Sequence, residues 1–496
     1  MKLVFRDDTM VSPSETTESV NASKPQSNKS TIWTQYAAAF IVNLVALNNG
    51  LLNSWSPTML PILQSDDTPI SNGPISKEEV SWVVSATALG SFLATPLYLF
   101  AIHRFSRKLT GYLVAVPFIV TWILIFAAKS FPALYVARLV SGMGSGASMV
   151  FPPIYISEIA QDSARGALGT LLTLMTDLGV LFGYIIGAYV HYYTYAYIAI
   201  VFPLLYLFCF IWLPETPMYL INKGDNDSAK RSLSWFRGGD ELIDQEFVEI
   251  VLFFQKRNLE VESGTFKDIF TSTGNRRAFL IGLVLVINLS FCGEFVVLNY
   301  TVSILQESGT SLSPYSSSIA VGLLNFIGSF ISTLLVDRVG RKFLLLASDI
   351  SMAVSMAALG TYFFLKNEGV DLSMVSWLPV TCLSVCTFSF SFGMAPVFFV
   401  VLAEIFEPKL RTKATTLIIS TLHILGFIVT KFHTNLSDLI GIHGNFWLFA
   451  GACILGSVYI IVAIPETKNM SYESILKEIS GQKSSKKLVF QTKNID

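Results

Sequence analysis

Charge is what this chain has least of: 14% of its 496 residues are Asp, Glu, Lys or Arg, against 52% hydrophobic and 13% aromatic. A soluble globule of that length carries far more charge, and a mean hydropathy of +0.56 points the same way. Cysteine is scarce too. Cys209, Cys292, Cys382, Cys386 and Cys453 all fall in apolar stretches at no metal-like spacing, which argues against a disulfide framework or a metal centre and leaves small packing residues. No Gly-x-x-x-x-Gly-Lys-Ser/Thr run occurs, so coupling to ATP through a phosphate loop has no support. Asp, His and Ser are scattered without nucleophile spacing, so an enzyme is not expected, nor is a cofactor. The net charge of −1 gives no reason to expect a nucleic-acid partner. The first 34 residues are rich in Ser, Thr, Asn and Lys and hold no long apolar core, so a disordered tail is expected there rather than a cleavable signal.

What the chain does have is twelve apolar stretches of membrane-spanning length, near 35–63, 80–102, 109–128, 132–155, 166–190, 193–213, 277–305, 315–336, 342–363, 375–402, 412–434 and 443–463. About 20 helical residues cross the roughly 30 Å hydrocarbon layer, where each backbone group must find its partner inside the helix. The expected fold is therefore an all-α protein of the lipid bilayer with two six-helix bundles. The expected divisions are a tail at 1–34, a first bundle at 35–213, a linker at 214–276, a second bundle at 277–464 and a tail at 465–496. The linker carries Lys223, Lys230, Arg231, Arg237, Lys256, Arg257, Lys267 and Arg276, whereas the loop 64–79 has Lys77 against Asp66, Asp67, Glu78 and Glu79. Positive-inside bias places the linker, and with it both termini, in the cytoplasm. Apolar residues at near-helical spacing within 225–262 predict short amphipathic helices there.

The two halves repeat. Arg104-Phe-Ser-Arg107-Lys108 after the second stretch is matched by Asp337-Arg338-Val-Gly-Arg341-Lys342 after the eighth. Glu158 stands before Arg165 as Glu404 stands before Arg411, and Pro214-Glu215-Thr-Pro217 is matched by Pro465-Glu466-Thr-Lys468. Repeated bundles enclosing a central cavity, rocked so that it opens to either side in turn, describe a solute carrier working by alternating access. Arginines at one helix end facing Glu158 or Glu404 at another are expected to clamp the cytoplasmic side when the cavity opens outward and to part when it opens inward. Positive-inside anchoring alone explains the arginines but not the repeated glutamates.

With Arg138, Gly142, Gly144 and Gly146 of the fourth stretch, these motifs resemble the sugar porter family of the major facilitator superfamily over roughly 35–470. Tyr300-Thr-Val-Ser-Ile304, Val429-Thr-Lys431 and His443-Gly-Asn-Phe-Trp-Leu-Phe449 are similar to the insect trehalose-carrying branch of that family. The resemblance implies facilitated transport of a sugar, such as trehalose or a hexose, at the plasma membrane. It also implies a pocket at which this chain departs from the family. The amide-rich run of the seventh span reads Leu289-Ser290-Phe291-Cys292-Gly293-Glu294-Phe295, and the tryptophan of the tenth has become Phe399 beside Phe398. An Asn-Trp pair is Leu422-His423, the glutamine of the fifth span is Thr173, Ser106 replaces a glycine, and Asn325 alone keeps a recognisable sugar ligand. The pocket expected from the resemblance is thus Asn325, Thr173, Ser290, Glu294, Phe398, Phe399 and His423. Asp177 and Glu294 are ionisable groups at membrane depth, which mark function by default and are candidates for carrying a proton; Lys431, near a span end, is expected to snorkel. No acid occurs in the first span, where resembling proton-linked carriers hold theirs, so uniport is expected. Two other readings stay open: carriage of a non-sugar polar or charged solute, and a ligand sensor that no longer cycles.

Overall fold

The computed structural model describes residues 29–161, 164–238, 243–260, 267–310, 312–468, 470 and 472–479, with the side chains of 29–32, 165, 253–260, 337, 408–409 and 472–473 left outside that description. Among the described residues every regular element is helical. Spans 1 to 5 are Lys29–Leu63, Lys77–Arg104, Arg107–Ala127, Phe131–Ile159 and Arg165–Tyr189; span 6 joins Tyr192–Ala199 to Val201–Phe210. Span 7 joins Thr273–Phe291 to Glu294–Ser308, spans 8 and 9 are Pro314–Val339 and Arg341–Asn367, and span 10 runs through Leu378–Ser389 to Ala395–Ile405. Pro408–Ala463 is one run of 56 residues, too long for one crossing, and Gly441 at φ 76°, ψ 158° divides it into spans 11 and 12. Among the described residues ten helices are long and apolar enough to cross a membrane; span 4 and the division at Gly441 complete the twelve.

Local chemistry explains where these helices start and break. Span 2 opens on a capping box, with Ser76 Oγ accepting from Glu79 N at 3.2 Å while Ser76 N donates to the Glu79 carboxylate at 2.8 Å. Span 3 opens on Ser106, whose hydroxyl accepts from Leu109 N at 3.0 Å. That residue stands where the other repeat has Gly340 at φ 108°, so the lost glycine has been exchanged for an N-cap. Span 7 breaks at Gly293, φ 95°. Span 10 loosens into a π turn at Phe390–Met394 just ahead of Pro396; proline offers no N–H to the carbonyl of Phe392, and a wider turn absorbs the gap.

Spans 1 and 5, and spans 2 and 4, cross through glycine. A Cβ at Gly50 would overlap the Thr176 carbonyl and one at Gly142 the Thr87 carbonyl, with Gly179 and Gly90 facing them. Such contact lets membrane helices pack backbone to backbone. The halves meet where span 5 lies on span 8, span 1 on span 7 and span 2 on span 11. Beyond span 6 come short helices, Pro217–Lys223, Asn226–Arg237, Ile243–Glu260 and Asp268–Thr271, two of which fall in the stretch where amphipathic helices are expected. Asp225 caps the second of them, and the Ser228 N–H it receives holds its carboxyl below the usual range. That helix docks on the first half, with Thr34 Oγ1 donating to Phe236 O at 2.8 Å and Arg237 Nη1 to Ile159 O at 2.9 Å.

Candidate functional site

On the side of the molecule that carries the linker, each half closes the same knot. In the first, Arg107 donates through Nε to both oxygens of Glu158 and through Nη2 to Oε1 at 2.8–3.1 Å, the Thr216 hydroxyl donates to Oε2 at 2.5 Å, and Glu215 accepts from Lys108 N at 3.1 Å. In the second, Arg341 Nη2 donates to Glu404 at 3.0 Å, Thr467 to its other oxygen at 2.5 Å, and Glu466 accepts from Arg341 N and Lys342 N at 2.9 and 3.2 Å. Lys108 and Lys342 reach the Ile211 and Ile461 carbonyls at 3.1 and 2.7 Å. The repeat seen in the sequence is therefore a repeat of contacts.

The described contacts of each knot lie within one half: these pairs tie the ends of spans 3, 4 and 6, or 9, 10 and 12, into one block, and they are formed while the halves touch on the opposite face. Arg104 and Arg338 are exposed beside them, and Arg411 Nη2 contacts the Phe406 carbonyl at 3.5 Å. The side chains of Arg165 and Asp337 fall outside the described residues. Removing Arg341 strands the half-buried Glu404, so Arg341→Ala is expected to cost about 1–3 kcal/mol, whereas Arg338→Ala, on the surface, is expected to stay within about 0.5 kcal/mol. Melting curves of the two purified variants check this, and equal losses would contradict the assignment.

Polar bridges between the halves occur on the face away from the linker and at mid-depth. On the far face Lys431 of span 11 is 5% exposed. Its Nζ donates to Glu78 at 2.5 Å and Ser81 Oγ at 2.8 Å, and sits 4.4 Å from the Trp82 ring centroid. Lys431 thus does not snorkel as expected; an acid, a hydroxyl and an indole of the other half enclose it. Lys77 and Asp438 stand 3.7 Å apart nearby, both exposed.

At mid-depth, Asp177 of span 5 accepts at Oδ1 from Asn325 Nδ2 of span 8 at 3.0 Å, and at Oδ2 from the Ser329 hydroxyl. Asn325 Oδ1 accepts in turn from Ser391 in the π turn of span 10 at 2.5 Å, so both ends of the amide expected to bind sugar are engaged. Higher up, the Tyr184 and Thr301 hydroxyls meet at 3.1 Å.

The remaining expected pocket residues separate. Thr173 and Phe399 are half-buried; Ser290 and Phe398 are wholly buried within the second half, Ser290 bonded to its own helix at Val286 O. Glu294 begins the outer segment of span 7, 1% exposed, with Cys386 Sγ 3.9 Å from one oxygen and no described partner on the other. His423 is half-buried with Nδ1 unpartnered.

Sequence reasoning gave no role of their own to three groups. Asp349 of span 9 is fully buried between Asn288 of span 7 and Ser457 of span 12, both at 3.1 Å; an acid in an apolar stretch was signal enough. Glu78 reads in sequence as one of four loop acids, and nothing local distinguishes it. Arg138 is fully buried against the Trp55 ring, 5.1 Å from its centroid, and donates to Ser56 Oγ at 2.6 Å and Leu52 O at 3.2 Å. It fastens span 4 to span 1.

A family model described as "Sugar (and other) transporter" matches residues 22–478. The facilitated trehalose transporter Tret1 of Bombyx mori is 34% identical over 478 residues, 95% of this chain and 92% of that protein. That of Culex quinquefasciatus is 32% identical over 97% of this chain and 91% of that protein. Against Tret1 of Aedes aegypti, 32% identical over 463 residues, the chain spans 57% of the relative's length. Among solved structures, the inward open xylose transporter XylE from E. coli superposes with a TM-score of 0.73 at 20% identity, covering 90% of this chain and 99% of that one. The same transporter bound to 6-bromo-6-deoxy-D-glucose gives 0.71 at 21%, covering 91% of this chain and all of that one. At those identities the likeness carries the fold alone.

Proposed function

Because the chain belongs to the sugar (and other) transporter family, a family of multi-pass membrane carriers, we propose that it moves a sugar such as trehalose or a hexose down its gradient by alternating access. The observation that carries this reading is the division of labour among the polar contacts. Each half is knotted within itself at the linker end, as a rigid body must be, while the bridges between halves sit at the far face and mid-depth, as gates must. We place the carrier in the plasma membrane with the linker and both described ends in the cytoplasm, so that the closed far face is extracellular and this conformation faces inward. Asn325, Thr173, Phe399 and His423 are the groups we assign to the substrate path.

Radiolabelled uptake in oocytes or transporter-deficient yeast, normalised to surface protein, tests the reading. Saturable uptake of trehalose or a hexose, insensitive to an external pH step, is expected. Uptake of an organic ion with no sugar carried overturns it in favour of the non-sugar reading, which the loss of amides at Leu289, Ser290, Phe295 and Leu422 supports. Pure binding without flux identifies a sensor.

A further inference from the structure

Resting on that reading, we propose that Asp177 is a substrate-binding group of the carrier: its two carboxylate oxygens take hydroxyl donors of the transported polyol, and Asn325 and Ser329 hold their place when the site is empty. The chain has lost the family's pocket amides at Leu289, Ser290, Phe295 and Leu422, yet it places at mid-depth, between the halves, one side chain with acceptors alone. A carboxylate offers about four lone-pair sites and no donor, and a vicinal diol presents two O–H donors that match its two oxygens. Bonds from hydroxyl to ionised oxygen are shorter and roughly twice as strong as neutral ones. Asp177 lies one helical turn from Thr173, so the two belong to the same face of span 5.

The present partners of Asp177 are the stronger argument. Asn325 and Ser329 sit a turn apart on span 8 and donate one to each oxygen, occupying the positions that a diol's two hydroxyls take. Alternating access requires spans 5 and 8 to move past each other. Separating them with nothing between strands a buried carboxylate and an amide, each costing about 1–3 kcal/mol or more. A polyol removes that cost, because its hydroxyls donate to Asp177 and accept from Asn325 at once. The loaded carrier then crosses faster than the empty one, and preloaded sugar on the far side accelerates uptake.

Three measurements decide it. Asp177→Asn keeps the volume but brings two donors toward those of Asn325 and Ser329; KM for the sugar is expected to rise tenfold or more and the acceleration by preloaded sugar to vanish, at normal surface abundance. Ser329→Ala removes a competitor for Asp177, so KM is expected to fall severalfold. A purely structural latch predicts the contrary, an unchanged KM with an altered Vmax in both variants, and that result overturns the proposal. Should Asp177→Asn fail to reach the surface, Ser329→Ala decides alone: an unchanged or raised KM overturns the proposal. The wild type assayed in parallel separates the two levels of the argument. If it carries no sugar, the transport reading falls and this inference with it; if it carries sugar and neither KM moves, only this inference falls.

Discussion

Lys431→Met is expected to slow sugar uptake at least tenfold at equal surface abundance. Methionine preserves length and apolar contact and removes only the ammonium, which now touches Glu78, Ser81 and Trp82 of the opposite half. A hydrogen bond to a charged group contributes about 1.5–3 kcal/mol and a cation over a partly desolvated ring about 0.5–2 kcal/mol. Their joint loss shifts the balance between far-face-closed and far-face-open states by roughly thirtyfold or more, at about 1.4 kcal/mol per tenfold. A carrier biased that far spends most of its time on one side of its cycle. Glu78 is half exposed, so its removal matters less: Glu78→Gln is expected to lower uptake about two- to fivefold, since the amide still accepts from Lys431. The swapped pair Glu78→Lys with Lys431→Glu is the sharper check; recovery above either single charge reversal shows coupling across the interface. Wild-type uptake by Lys431→Met would remove the far-face latch from the description.

The greatest loss of folded protein is expected at the glycine crossings. A side chain at Gly142 meets the Thr87 carbonyl, and one at Gly50 meets the Thr176 carbonyl. In both cases the obstacle is backbone, which no rotamer change relieves. Separating two membrane helices to admit leucine forfeits the contact along the whole crossing, because close approach is what holds such helices together. Gly142→Leu and Gly50→Leu should therefore leave under a tenth of the normal surface signal by biotinylation. Gly169→Ala and Gly451→Ala, where nothing lies within 4 Å of a new Cβ, should match or exceed wild type, since alanine is the better helix former by about 1 kcal/mol. Comparable losses at all four positions would mean that glycine serves helix flexibility here and not packing.

What the sequence discloses depends on the range of the interaction. Span length is written in consecutive residues, and the repeat is written in ordered motifs, so twelve helices in two halves were legible. So was the repeated placing of Glu158 and Glu404 near arginines. Their partners were less so: both copies contain two arginines, and only the geometry selects Arg107 and Arg341 over Arg104 and Arg338. Lys431 was misjudged because its position near a span end says nothing of Glu78, which comes from the other half of the chain. The amide of Asn325 read as free for the same reason, since Asp177 is remote in sequence. Asp349 is a different case; it stood in an apolar stretch and was passed over. Pocket residues aligned by resemblance alone, such as Ser290 and Phe398, are wholly buried, and Ser290 spends its hydroxyl on its own helix at Val286 O.

The π turn also has a mechanical consequence. Span 10 consists of two stiff rods, Leu378–Ser389 and Ala395–Ile405, coupled by five residues whose hydrogen-bond ladder is already out of step. The rod beyond the joint ends on Glu404 and is bolted to spans 9 and 12, while Ser391 within the joint is strung to Asn325. If the linker-side rod swings in the cycle proposed above, the joint is where span 10 is expected to bend, which lets the rod on the far side keep its contacts.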